Sequence, residues 1–141
     1  MSARLLVLVL AAALSACAGA GPQASVPGPL RLAGTQWRFV RLDGHKVPPA
    51  VKATLVFESN GHVSGRAGCN SYGGPWSASN GALHFGGMIS TKMACLQPAG
   101  AMQAEQAVFA ALREAVRAQM RDGRLILLNA NGDPLALLQP Q

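Results

Sequence analysis

The chain has 141 residues, 50% of them hydrophobic, and 12 Lys and Arg against 6 Asp and Glu give a formal net charge of +6. That length supports one domain with a real core and excludes two. The basic side chains are dispersed from Arg31 to Arg124 without a run of like charge. They read as a solvated basic surface rather than a nucleic-acid tract.

In chain order, Met1-Ser2-Ala3-Arg4 precedes an apolar run, Leu5 to Leu14, and then Ser15-Ala16-Cys17. One basic residue, a short apolar core and small residues at a cleavage site make a secretory signal peptide. The run is about ten residues, well short of the ~20 that span a bilayer. With Cys17 placed just after the cut, the segment resembles a bacterial lipoprotein signal. The resemblance implies that residues 1–16 are removed and that Cys17 is lipidated. A diacylglyceryl thioether and an amide-linked acyl chain would anchor it, each buried methylene adding ~0.8 kcal/mol. Ala18, where an Asp would retain the protein at the inner membrane, implies the outer membrane with the domain facing the periplasm. Such an address leaves no nucleic-acid partner. The alternative is an ordinary secretory signal with a coincidental cysteine.

Residues 17–31 are small and rich in Pro and Gly, with Pro22, Pro27 and Pro29. They read as a semi-extended tether, which leaves 32–139 as the folded domain. Trp37 to Leu42 reads as a strand ended by Asp43-Gly44. Thr54 to Glu58 and His62 to Arg66 flank Asn60-Gly61, a strong hairpin signal. Gly68 to Gly74 is too glycine-rich for regular structure. Pro75 to Ala78 and Ala82 to Phe85 flank Asn80-Gly81 as a second hairpin, and Met88 to Thr91 is a short strand.

One long helix is predicted over Ala101 to Met120, because Met102, Phe109, Leu112 and Val116 recur at helical spacing. Glu105 then falls in its first turn and Arg117 and Arg121 in its last, both suited to the macrodipole. Asp122-Gly123 ends it. Arg124 to Asn129 and Pro134 to Leu138 form a final hairpin across Asn131-Gly132, with the apolar run Leu125 to Leu128 as a central strand. The fold class is therefore α+β, mainly β. About seven or eight antiparallel strands cannot be covered by one helix, so the sheet is expected to curl into a barrel with the helix packed on it.

Lipid on Cys17 would leave Cys69 and Cys95, an even pair in an oxidising compartment, which favours a disulfide. A free buried thiol pair and a metal site are the alternatives, the latter without CxxC or HxxxH spacing behind it. Each cysteine lies in a distinctive segment: Gly65-Arg66-Ala67-Gly68-Cys69-Asn70-Ser71-Tyr72-Gly73-Gly74, and Ser90-Thr91-Lys92-Met93-Ala94-Cys95. With Gly34-Thr35-Gln36-Trp37 before them and Glu105 to Leu112 after them, these resemble the META domain of HslJ-type lipoproteins. The resemblance covers about Leu32 to Leu138. It implies a compact antiparallel barrel-like sheet with a helix and no established enzymatic activity. It also implies a link to stress resistance, secretion or motility.

Asn70 can hold a shaped turn through backbone hydrogen bonds, and Cys69–Cys95 would clamp that turn to the Ser90-Thr91 strand. The functional alternative makes Asn70, Tyr72, Ser90, Thr91 and Lys92 a binding surface, since rigidly held loops often carry function. No catalytic residues, metal or cofactor are expected. His45, His62 and His84 lack metal spacing, and a disulfide would remove the thiol a Cys–His pair needs. Met102 and Met120 read as gap-filling core residues. The leading expectation is a monomeric, non-enzymatic, lipid-anchored envelope protein that supports envelope integrity or stress resistance. The alternative is an inhibitor or binding module acting on an exported hydrolase or another envelope partner.

Overall fold

The computed structural model describes residues 30–141. The signal peptide, the lipidation at Cys17 and nearly all of the tether lie outside the described residues. The elements are β1 (Thr35–Leu42), β2 (His45–Lys46), β3 (Thr54–Phe57), β4 (His62–Ala67), β5 (Asn70–Ser79), β6 (Ala82–Phe85), β7 (Ile89–Ser90), α1 (Ala101–Glu114), β8 (Arg117–Arg121), β9 (Arg124–Leu128) and β10 (Pro134–Pro140).

All ten strands belong to one antiparallel sheet, in the order β10-β9-β8-β6-β5-β4-β3-β1-β2 with β7 on β5. Pairing of β10 with β1, from Trp37↔Pro140 to Leu42↔Ala136, closes the sheet into a ring. Closure leaves no long edge to template aggregation and encloses the core. Alternation sends Trp37, Phe39, Leu55, Phe57, Leu125 and Leu138 inward, all of them buried. Phe57 meets Trp76 edge-on at 4.8 Å and Phe85 at 6.0 Å, a geometry that adds to simple burial. Leu30 already packs against this core, and at the other end Gln141 N–H donates to the Gln36 carbonyl at 3.1 Å.

Two sequence expectations are corrected. The glycine-rich segment is regular structure: β5 begins at Asn70 and pairs with β4 from Ala67↔Asn70 to His62↔Pro75. The glycines there permit close approach rather than a loop. A Cβ on Gly74 would sit 2.8 Å from the Gly87 carbonyl oxygen and 2.7 Å from Met88 Sδ. Gly68, with φ +76, faces the start of α1, and a Cβ there would collide with the Ala101 carbonyl.

The helix stops at Glu114, not Met120, because Ala115 is extended (φ −68, ψ 122) and the chain enters β8. Asp122 and Gly123 both have positive φ, the signature of a tight hairpin turn. They join β8 to β9 through five successive pairs, Arg117↔Leu128 to Arg121↔Arg124. Arg117 and Arg121 are therefore strand residues, and Arg113 is the base in the last helical turn. Glu105 is likewise outside the first turn, which holds no acid. The buried helix face is Ala101, Ala104, Val108, Ala111 and Leu112, a stripe of mostly small residues that lets α1 approach β4, β1 and β10. Phe109 is half-buried at its border, Met102 is also intermediate, and Val116 and Met120 are exposed.

Candidate functional site

The distinctive segments meet at the side chain of Asn70, which is 1% exposed. Its Oδ1 accepts the Thr91 hydroxyl at 2.7 Å and the Met93 N–H at 2.8 Å. Its Nδ2 donates to the Met93 carbonyl at 3.0 Å and to Glu105 Oε2 at 2.8 Å. Both donors and both acceptor positions of the carboxamide are thus used, and the Asn70 N–H adds a bond to the same Glu105 oxygen at 3.1 Å. Thr91 is tied twice more to β5, accepting the Ser71 N–H at 3.2 Å and donating its own N–H to the Ser71 carbonyl at 3.1 Å.

Beside this knot Cys69 and Cys95 form a disulfide, with Cα atoms 5.7 Å apart, inside the range such bonds require. For the sequence separation of 26 the chain-entropy model assigns roughly 3.5 kcal/mol. One side chain and one covalent bond therefore lock three segments together: the start of β5, the strap over residues 91–95, and α1.

Tyr72 is buried next to this knot. Its hydroxyl donates to the Thr54 carbonyl at 2.7 Å, and its ring meets Phe109 edge-on at 5.6 Å. Burial holds the phenol well above the ordinary tyrosine range, because desolvation disfavours the phenolate. Asn70 and Tyr72 therefore face inward, and the Thr91 hydroxyl is engaged by Asn70. Ser90 and Lys92, from the same candidate set, line an open cavity of about 460 Å³ together with Phe85, Met88, Phe109, Leu112 and Arg113. The lining combines these apolar side chains with two cations and no carboxylate. The sequence reading missed the aromatic and Arg113 contributions. The signal available was Arg113 four residues after Phe109, on one helix face. His45, His62 and His84 are all exposed. Among the described residues no group of three or more His, Cys, Asp or Glu converges on a point.

A triangle of Cys69-Asn70, Thr91 to Cys95 and Glu105 is what the spaced motifs build. The META domain family model matches residues 30–141.

The chain belongs to the META domain family.

The META domain is similar to a protein from Burkholderia xenovorans solved by NMR, at 31% identity over 86% of this chain and 96% of that one, with a TM-score of 0.62. A second NMR structure is 21% identical over 77% and 90% of the two chains, with a TM-score of 0.61. A crystal structure of a DUF4847 family protein from Bacteroides vulgatus is 13% identical over 77% and 93%, with a TM-score of 0.53. The last two share the fold. Among curated proteins, none matches this chain.

Proposed function

We propose that this META domain protein is a non-enzymatic, monomeric lipoprotein that is anchored in the outer membrane, faces the periplasm and supports envelope integrity under stress. The observation that carries the reading is the N-terminal Leu14-Ser15-Ala16-Cys17 after a short apolar run. A structural rather than chemical role is supported by the fate of the motif residues. Asn70 bonds both Thr91 and Glu105, and the two cysteines bond each other, which favours a structural use of the motif. The test is Cys17→Ala. The variant should leave the membrane fraction and fail to restore growth under detergent or heat stress to cells lacking the protein. A variant that fractionates and rescues like the parent, with an unprocessed N-terminus in both, would refute the reading.

A second reading, a binding module or inhibitor acting on an exported hydrolase or another envelope partner, is favoured by one observation. The segment between β6 and α1, which the disulfide pins at Cys95, presents Ile89 at 78% exposure, Met93 at 54% and Leu96 at 92%. Apolar side chains in the open are what a partner pocket recognises. Crosslinking from this strap in intact envelopes tests it. A single stoichiometric hydrolase supports inhibition, and its absence removes that reading.

A further inference from the structure

The cations that look dispersed in the chain are gathered by the barrel. On the wall made by β1, β10, β9 and β8, the inward side carries buried Phe39, Leu125, Leu127 and Leu138 and, from β8, the less buried Ala118 and Met120. The intervening residues lie on the outer face. Cross-strand pairs set Lys46, Arg41, Leu137, Ile126 and Gln119 in one continuous row. Arg38 pairs with Gln139, Arg117 with Leu128, and Arg121 with Arg124, one step along the same strands. Between Arg41 and Arg121 runs a shallow groove of about 260 Å³ floored by Ile126, Leu135 and Leu137.

No carboxylate occurs in any of these four strands. The nearest acids, Asp43, Asp122 and Asp133, are confined to turns at strand ends, and Asp133 is engaged by Asn129 at 3.1 Å. Among the described residues, the hydrogen bonds these cations make go to backbone carbonyls: Arg41 to Gly44 at 3.0 Å and Arg117 to Ala130 at 3.3 Å. The rest of the domain is mixed in sign, with Lys52, Arg66, Lys92 and Arg113 among Glu58, Glu105 and Glu114.

We propose that this wall is a membrane-docking face that lies on an anionic phospholipid surface. Its shape decides against a small anion, because the cations are spread across a four-strand wall rather than converging on a point. Four strands at ~4.8 Å spacing make a face roughly 15 Å wide, enough to meet several headgroups at once. Arginine stems reach past the apolar floor while their heads meet phosphates. Half-buried Leu135 and Leu137 supply the apolar contact that interfacial binding needs in addition to charge, with Ile126 buried beneath them. The proposal goes beyond the anchored reading: an anchor fixes location, whereas this face fixes orientation. In the ring order β5 stands opposite β10. Docking by this wall therefore turns the Lys92–Arg113 cavity and the Ile89, Met93 and Leu96 strap away from the bilayer, where a partner can reach them.

The test uses the full chain carrying Cys17→Ser, so that no acyl chain is present and failure of lipidation cannot affect it. Binding is compared on vesicles of phosphatidylcholine with and without phosphatidylglycerol. The apolar N-terminal run is common to every variant and cancels in the comparison. The parent should prefer the anionic vesicles by at least roughly tenfold, and the preference should vanish in high salt. Arg41→Glu/Arg121→Glu/Arg124→Glu should abolish the preference, and Lys92→Glu on the opposite wall should keep most of it. If the triple reversal fails to fold, Arg41→Gln/Arg121→Gln/Arg124→Gln replaces it, with the same loss expected. A parent without the preference overturns the proposal, even if the wall instead captures an acidic protein. So does a folded triple variant that retains the preference.

Discussion

Asn70 and Tyr72 lie two residues apart, both buried at the start of β5, and do different work. The carboxamide of Asn70 pairs with both the N–H and the carbonyl of Met93, imitating a strand neighbour where the strap has none. A buried polar group is tolerable only when satisfied in this way. Tyr72 spends its hydroxyl on the Thr54 carbonyl, and its raised pKa has a consequence for stability. An unfolded chain releases the phenolic proton near pH ~10, while the folded chain keeps it. The unfolded state then binds fewer protons, so stability is level below that pH and falls as pH rises above it. We expect denaturant melts of the parent to weaken above about pH 10, and Tyr72→Phe to lose that slope while being less stable at neutral pH by ~1 kcal/mol. The chain has one tyrosine, so ultraviolet titration reports on it alone. An ordinary phenol titration in the folded protein would contradict the burial argument.

At the scale of elements, α1 and β8 divide what the sequence reads as one helix. The pattern through Leu112 belongs to a face of small residues pressed on the barrel, whereas Val116 is 40% exposed and bridges strands. Its N–H donates to the Leu128 carbonyl at 3.0 Å and its carbonyl accepts the Leu83 N–H at 2.9 Å. Its backbone, not its side chain, carries the role. Leu112→Ala should therefore cost about 2–5 kcal/mol, the range for emptying a well-packed site. Val116→Ala should cost less than about 1 kcal/mol. Urea melts check both, and equal losses would mean that α1 continues as a longer helix burying Val116.

At the scale of the molecule, the ring has a thin seam. β6 and β8 share a single register pair, Ala82↔Arg117, whereas β8 and β9 share five. Local opening follows the weakest ladder. Amide hydrogen exchange should be faster at Leu83, whose N–H closes the seam, than at Phe39, whose N–H meets the Ala53 carbonyl at 2.9 Å just beyond the last β1–β3 pair. Equal protection at the two amides would show that the barrel opens only as a whole. The seam lies beside the basic wall. A bilayer held against β8 would therefore cover the weakest closure of the barrel.

Much of the fold is legible in the sequence because its signals are local. Asn60-Gly61, Asn80-Gly81 and Asn131-Gly132 mark hairpins through backbone preference alone, and too many strands for one helix imply a curled sheet. The pairing of Cys69 with Cys95 is legible on the expectation that lipid occupies Cys17, the third cysteine, because two thiols then leave one intramolecular bridge. Asp122-Gly123 is ambiguous, since the same dipeptide ends a helix or turns a hairpin. Only the need of β9 and β6 for a strand between them decides for the hairpin. The glycines of the Gly68 to Gly74 segment are ambiguous too, because permission for a loop and room for a neighbour look identical until the neighbour, Ala101 or Gly87, is in place. Asn70 stands out in the sequence as a turn-holding residue, but its partners Met93 and Glu105 lie 23 and 35 positions away, beyond any local pattern. The basic wall is the extreme case. Arg38, Arg41, Arg117, Arg121 and Arg124 are scattered in the chain and become neighbours because ring closure lays the first strand against the last. Local chemistry determined the elements; the surface they present was decided by which edges met.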